Sequence, residues 1–297
     1  MAHHGPWRLT LRWYLALLFV GSLLMAGGTT VQRVRAGHDT PASAAQISSG
    51  LLGRQPMTAA TVPDPAAPWV VGAMPLPLRP DGHGVVRSTP QVLANRRLPT
   101  VDRLPPPTSK SFQSTISPVP PEVLARSSWK PLCPVSDSKL RYLTMSFHGF
   151  DSRVHTGEML VNADVAQTVV GVFKRLFVAG FPIEEMRITA NAELNLPPTG
   201  DGNNTVGFLC HQTRGQTRWS ENAYGLAIDL NPFDNPYVSG DLVVPELASA
   251  YLNRDWVRSG MVRNDDPAVT AFESVGWKWG GRWPGPVNFM HFSPNGR

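Results

Sequence analysis

WSENAYGLAIDLNPFDNPYV, residues Trp219 to Val238, decides the reading of the fold. Leu226 to Asn231 within it has the length and bounds of a half-buried strand, ended by Asn-Pro. Working outward, Leu140 to Phe147 (LRYLTMSF) is rich in β-formers and reads as another strand. Between the two lies the clearest helix of the chain. Val165, Val169, Val172, Phe173, Leu176 and Phe177 fall on one face of a 3.6-residue period, Asn162 or Asp164 offers a cap, and Gly180 with Pro182 stops it. A last helix is bracketed by Asp266 as N-cap, Pro267 at its first position and Gly276 past its end, and Phe289 to Phe292 makes a short terminal strand. Strands and helices that do not alternate strictly predict an α+β fold, a small antiparallel sheet with helices packed on it.

Composition confines that fold to one end. The chain has 297 residues, net charge +5, 29 Pro and 2 Cys, which suits one medium domain plus a non-globular part. Sixteen of the Pro lie between Pro41 and Pro121, whereas residues 129–297 hold six of the nine Trp. Residues 1–128 carry 12 Lys/Arg against 5 Asp/Glu, and residues 129–297 carry 15 against 17. The folded part is therefore not basic, which argues against a nucleic-acid partner. Arg8 and Arg12 precede an uncharged run, Trp13 to Gln32, with an apolar heart and small residues at Ala26-Gly27-Gly28. Trp13 to Gly28 is 16 residues, below the roughly 20 that span a bilayer, so the run is either a cleaved export signal or a membrane anchor. No Cys lies near its end, which excludes a lipoprotein-type anchor.

The expected organisation is a signal or anchor over 1–28, a Pro-rich disordered stalk over 29–127, and a domain over 128–297. The stalk has isolated apolar residues and no sustained period, so it buries too little surface to offset its ordering entropy. Pro105 to Pro107 and Pro118-Val119-Pro120-Pro121 favour extended polyproline, a semi-rigid spacer holding the domain off the membrane. An exported chain meets an oxidising compartment, and Cys133 and Cys210 are expected to pair there, with two unpaired buried thiols as the alternative.

The block from Trp219, together with GWKWGGRW from Gly276 and NFMHFS from Asn288, resembles the VanY-type zinc peptidases. These are the D-alanyl-D-alanine carboxypeptidases and L-alanyl-D-glutamate endopeptidases that cut peptidoglycan stem peptides. GFDSRVHTGEMLVN and AGFPIEEMRI also match the pattern, so the resemblance covers roughly residues 129–297. It implies a single zinc-peptidase-like domain in the cell envelope, acting on stem peptides. In that family S-x-H-x-x-G-x-A-x-D supplies a His and an Asp to zinc, and D-x-x-H supplies the general base and a third ligand. Carried over, Asp229 and His291 stand at ligand positions, but Asn222 occupies the first His position and Asn288 the base position.

Both departures bear on the chemistry. A catalytic zinc needs three protein ligands and an open position for water. The neutral amide oxygen of Asn222 suits hard cations better than zinc, so weak or absent zinc binding is expected. An amide at 288 cannot take a proton from water, and general-base catalysis is worth about 10²–10⁴-fold. His211 is a candidate replacement ligand. Glu221 beside Asn222 points the other way if the segment is extended. His155 in VHTGE lies outside the metal set and reads as structural or substrate-facing. Ser220 and Tyr224 fit hydrogen-bonding roles at the rim, and Trp279, with Trp277 and Trp283, either walls a peptide groove or packs in the core. Ser220 has no recognisable triad partners.

Three functions follow from these residues. One is a degenerate peptidase that binds stem peptides without efficient cleavage. The second is an active zinc enzyme with a rescued site. The third is a non-catalytic module touching another envelope protein.

Overall fold

The computed structural model describes residues 68–213 and 217–297. The chain divides into two units, Met1–Val62 and Pro63–Arg297, and the description concerns the second. The expected signal or anchor and the first part of the stalk lie outside the described residues. Among the described residues no helix is long and apolar enough to cross a membrane.

Among its described residues this unit has three small antiparallel sheets and three short α-helices, the first of them α1 (Pro121–Ala125). The first sheet joins β1 (Ser114–Pro118), β2 (Leu140–His148) and β3 (Val154–Asn162), in that order. Leu143, Met145, Phe147, Met159 and Val161 of this sheet are buried against α2 (Ala166–Val178). The expected apolar stripe is that helix's inner face: Val169, Val172, Phe173 and Leu176 are at most 1% exposed. Its start differs from expectation. Val165 occupies the cap position without a side-chain bond, while Asn162 accepts from the Asp164 amide and donates to the Tyr224 carbonyl. Asn162 therefore couples the helix entry to the 221–224 segment.

The second sheet carries the site. It places β9 (His291–Ser293) between β4 (Ile228–Asp229) and β7 (Lys278–Trp279). The third joins β6 (Leu242–Val244), β5 (Tyr237–Ser239) and β8 (Val287–Asn288). The strand expected over 226–231 is thus reduced to two residues. Gly225, at φ +68°, turns the chain in, where a Cβ would lie 2.6 Å from the Asn162 amide nitrogen, and Asn231, at φ +41°, turns it out. The terminal strand over 289–292 is likewise displaced: Phe289 and Met290 separate β8 from β9. The last helix, α3 (Pro267–Glu273), begins where Asp266 and Pro267 predict. Phe272 of α3 stacks on Phe292 of β9 at 4.0 Å, tying helix to sheet.

The stalk boundary is corrected. Residues 68–127 are folded against the domain, and the stretch 68–113 forms a strap with almost no regular structure. Its Leu76 and Leu93 are buried with Phe233, Val243, Leu247 and Tyr251. Trp69 Nε1 and the Gly72 amide donate to Asp201. Asp102 accepts from His155 Nδ1 at 2.7 Å, and the other ring nitrogen of His155 meets Asp151 at 3.0 Å. His155, fully buried, is thereby a clasp for the strap and no part of a metal set. The strap is invisible to periodicity because it buries single residues at irregular intervals rather than a stripe.

Arg96 is the strap's deepest anchor. Its side chain is 0% exposed, and Nε and Nη2 each lie 2.6 Å from Glu184 in a bidentate pair. The guanidinium sits 4.5 Å over the Phe233 ring, and the Arg96 amide donates to the Tyr251 hydroxyl. Asn203 Nδ2 donates to both Glu184 and Asp234, so two buried carboxylates share one cluster. Burial first, and the neighbouring Glu184 charge second, push the Asp234 carboxyl up to about 7.

Two outcomes follow. Arg96→Ala leaves Glu184 buried and unpaired, and is expected to lower the unfolding free energy by about 3–5 kcal/mol in urea titrations of the intact chain. Because the folded-state value of Asp234 lies above the ordinary 3.8, the folded chain holds that proton to higher pH. Its contribution is full below about pH 4 and lost as pH rises through about 7. Unfolding free energies measured from pH 4 to 8 are expected to fall for the wild type, by on the order of a few kcal/mol, relative to Asp234→Asn. Parallel pH profiles would show that Asp234 is not the titrating group.

Candidate functional site

The β4–β9 ladder places Ile228 opposite Phe292 and Asp229 opposite His291, while the β7–β9 ladder places Trp279 opposite Phe292 and Lys278 opposite Ser293. Directly opposed residues share a face, and neighbours along a strand alternate. One face of this sheet therefore carries Ile228, Phe292 and Trp279 into the core. The other carries Asp229, His291, Ser293 and Lys278.

On that outer face His291 Nδ1 lies 2.9 Å from Asp229 Oδ1. His291 Nε2 lies 2.7 Å from the Arg297 backbone carbonyl oxygen. Burial pulls the imidazole toward neutrality, but the Asp229 hydrogen bond and charge, the Arg297 carbonyl and the Glu221 charge together hold its pKa above the ordinary value. Asp229 and His291 thus meet directly on this face. The Trp283 ring stands 5.6 Å from the imidazole.

Asn222 lies on the 3₁₀ turn Glu221–Tyr224 and is 3% exposed. Its Nδ2 donates to the Gly207 carbonyl at 3.1 Å, and its own carbonyl accepts from Leu209 and Gly225. The 206–209 segment in turn pairs with β4, since Val206 and Asp229 exchange backbone bonds of 3.0 and 2.9 Å. Asn222 therefore works as a strut behind β4. Asn288 on β8 lies opposite Tyr237, and its Oδ1 is buried with no hydrogen-bond partner among the described residues.

The remaining candidates separate. His211 Nδ1 bonds the Gln212 carbonyl, and its Nε2 lies 3.3 Å from Ser220 Oγ, so both ring nitrogens serve the local 211–220 loop. Among the described residues no hydrogen bond or ion pair joins it to Asp229 or His291. Ser220 returns the contact by donating to the His211 carbonyl. Tyr224 contributes its carbonyl to Asn162. Trp279 does not wall a groove: it is 4% exposed, stacks toward Phe292, and donates Nε1 to the Phe289 carbonyl at 2.8 Å. Trp283, the third Trp of the block, is the one beside His291. Cys133 and Cys210 are joined in a disulfide, and Cys210 is held by its amide to Ser128.

Sequence reasoning missed the polar frame under the site. Asn231 accepts from the Glu184 amide and the Thr205 hydroxyl and donates to Pro182 and Gly260. Asn235 donates to Leu230 and Gly260 and accepts from Arg254 and the Val262 amide. Both are fully buried. Two Asn flanking Pro in a segment bounded by apolar residues were the available signal, and they read as a turn because side-chain amides mimic backbone there.

The residues present do not fit a catalytic zinc. A carboxylate and an imidazole stand together, but the third position holds an amide already tied to Gly207. Among the described residues no group of three His, Cys, Asp or Glu side chains is placed to hold a metal.

No curated protein and no solved structure matches this chain. Residues 214–294 match the family model described as D-alanyl-D-alanine carboxypeptidase, a span that takes in the Trp219 block, α3 and the whole β4–β9–β7 sheet and leaves out the strap and the first sheet. This part of the chain is thus similar to that peptidase family.

Proposed function

We propose that the domain is an extracytoplasmic relative of the zinc D-alanyl-D-alanine carboxypeptidases that recognises peptidoglycan stem peptides and hydrolyses them weakly or not at all. The family match supports the substrate class. The observation that carries the loss of hydrolysis is the pair of neutral amides at 222 and 288, the first of them tied to the Gly207 carbonyl. No carboxylate stands at the base position, so a water at the site lacks its proton acceptor. The N-terminal apolar run, as signal or anchor, supports an extracytoplasmic location, and the oxidised Cys133–Cys210 pair suits an envelope compartment.

The test is metal content and turnover together. The purified wild type is expected to retain no stoichiometric zinc at micromolar metal and to release no D-alanine from a stem pentapeptide. Asn222→His with Asn288→Asp is expected to gain both zinc and chelator-sensitive cleavage, the restored base contributing about 10²–10⁴-fold. Chelator-sensitive cleavage by the wild type would instead establish the rescued enzyme.

A further inference from the structure

Two side-chain donors converge on one oxygen on the outer face of the β4–β9–β7 sheet. His291 Nε2 lies 2.7 Å and Ser293 Oγ 2.9 Å from the Arg297 carbonyl oxygen. The two donors sit two residues apart on β9, hence on one face, and both side chains are buried, Ser293 fully. Asp229 takes the other ring nitrogen and so aims Nε2 outward. The Trp283 ring flanks the imidazole, and Lys278, an exposed cation, is the register partner of Ser293. A pair of converging donors beside an aromatic ring and a cation is the equipment for an acceptor oxygen bearing partial or full negative charge.

The present occupant is local and held by few bonds. Gly296, at φ +73°, folds the chain back over the aliphatic part of Lys278. The Arg297 amide then donates to Ser293 Oγ and Asn295 Oδ1, both at 3.0 Å. Arg297 itself is exposed, so its carbonyl can leave without unpacking the core. We infer that His291 and Ser293 form a binding subsite for a peptide carbonyl or carboxylate oxygen, and that Pro294–Arg297 fills it as an intramolecular competitor which an incoming peptide displaces. The subsite deepens the proposed function and rests on that reading only for the identity of the peptide.

The experiment is a titration of the isotope-labelled intact chain, followed through the His291 ring and Arg297 amide resonances. The probes are N-acetyl-Lys-D-Ala-D-Ala, the unrelated N-acetyl-Gly-Gly carboxylate, and its amide. Binding is expected to move both resonances, the Arg297 amide toward its free position. Asn295→Ala, which loosens the turn and spares both donors, is expected to tighten carboxylate binding about tenfold by raising the competent fraction. Ser293→Ala, which removes one donor, is expected to weaken it about fivefold. The subsite is overturned if the carboxylates leave His291 and Arg297 unmoved, or if Asn295→Ala leaves affinity unchanged. Glycine peptide binding with both signatures while the D-alanine peptide fails upholds the subsite and removes the wall-peptide reading. D-alanine peptide binding that moves neither resonance does the reverse.

Discussion

The buried Arg96–Glu184 pair is the constraint around which the other parts are arranged. A guanidinium taken out of water is tolerable only with its counter-charge in close, bidentate contact. Glu184 meets that demand from the segment after α2, and its backbone amide leans on Asn231, the residue that turns the chain out of β4. Asn203 links Glu184 to Asp234, three residues beyond Asn231 in the same block, and Phe233, just before Asp234, lies under the Arg96 guanidinium. One charge carried by an irregular strap thus fixes the exit of the strand that presents Asp229. Moving the strap would leave an ion unpaired, and the cost would fall on the site-bearing sheet.

Within the β4–β9–β7 sheet the Asp229 carboxylate and the His291 imidazole attract each other directly, across a two-residue antiparallel ladder. The ladder by itself is marginal, since so short a pair buries little. It persists because Ile228, Trp279 and Phe292 on its inner face enter the same core as Phe272 of α3, and because Val206 and Asn222 brace β4 from behind. An amide at position 222 suits this role: a side chain that donates to a carbonyl is a strut, where an imidazole would have to choose between the strut and a ligand.

How much of this was legible in the sequence depends on whether a feature repeats. α2 was readable because six apolar residues share one helical face, β2 because β-formers run unbroken, and α3 because Asp266, Pro267 and Gly276 punctuate it. The strap was read as stalk because Leu76, Leu93 and Arg96 each act once, in partnership with residues more than eighty positions away or buried in a cluster assembled by the whole fold. Two-residue strands such as β4 and β8 have no period to read. At the site, the positions of Asp229, His291, Asn222 and Asn288 came from motif spacing, while the contact of Arg297 with His291 lies beyond any motif. Trp279 and Trp283 are alike in sequence and opposite in placement, one facing the core and one beside the imidazole, because strand alternation ends at the Gly280-Gly281 turn.

The same accounting explains why amides at two site positions are compatible with a well-packed domain. Metal centres often contribute to folding, and removing ligands then removes stability. In this chain the long-range closures are a disulfide spanning 77 residues, three charged or polar clasps on the strap, and the Asn231–Asn235 frame. A disulfide closing a loop of that length restricts the unfolded chain by about 4 kcal/mol in the chain-entropy account. None of these closures passes through position 288, and position 222 enters only as a strut. With these closures holding the fold, the outer face of the β4–β9–β7 sheet can be fitted to a ligand oxygen rather than to an ion.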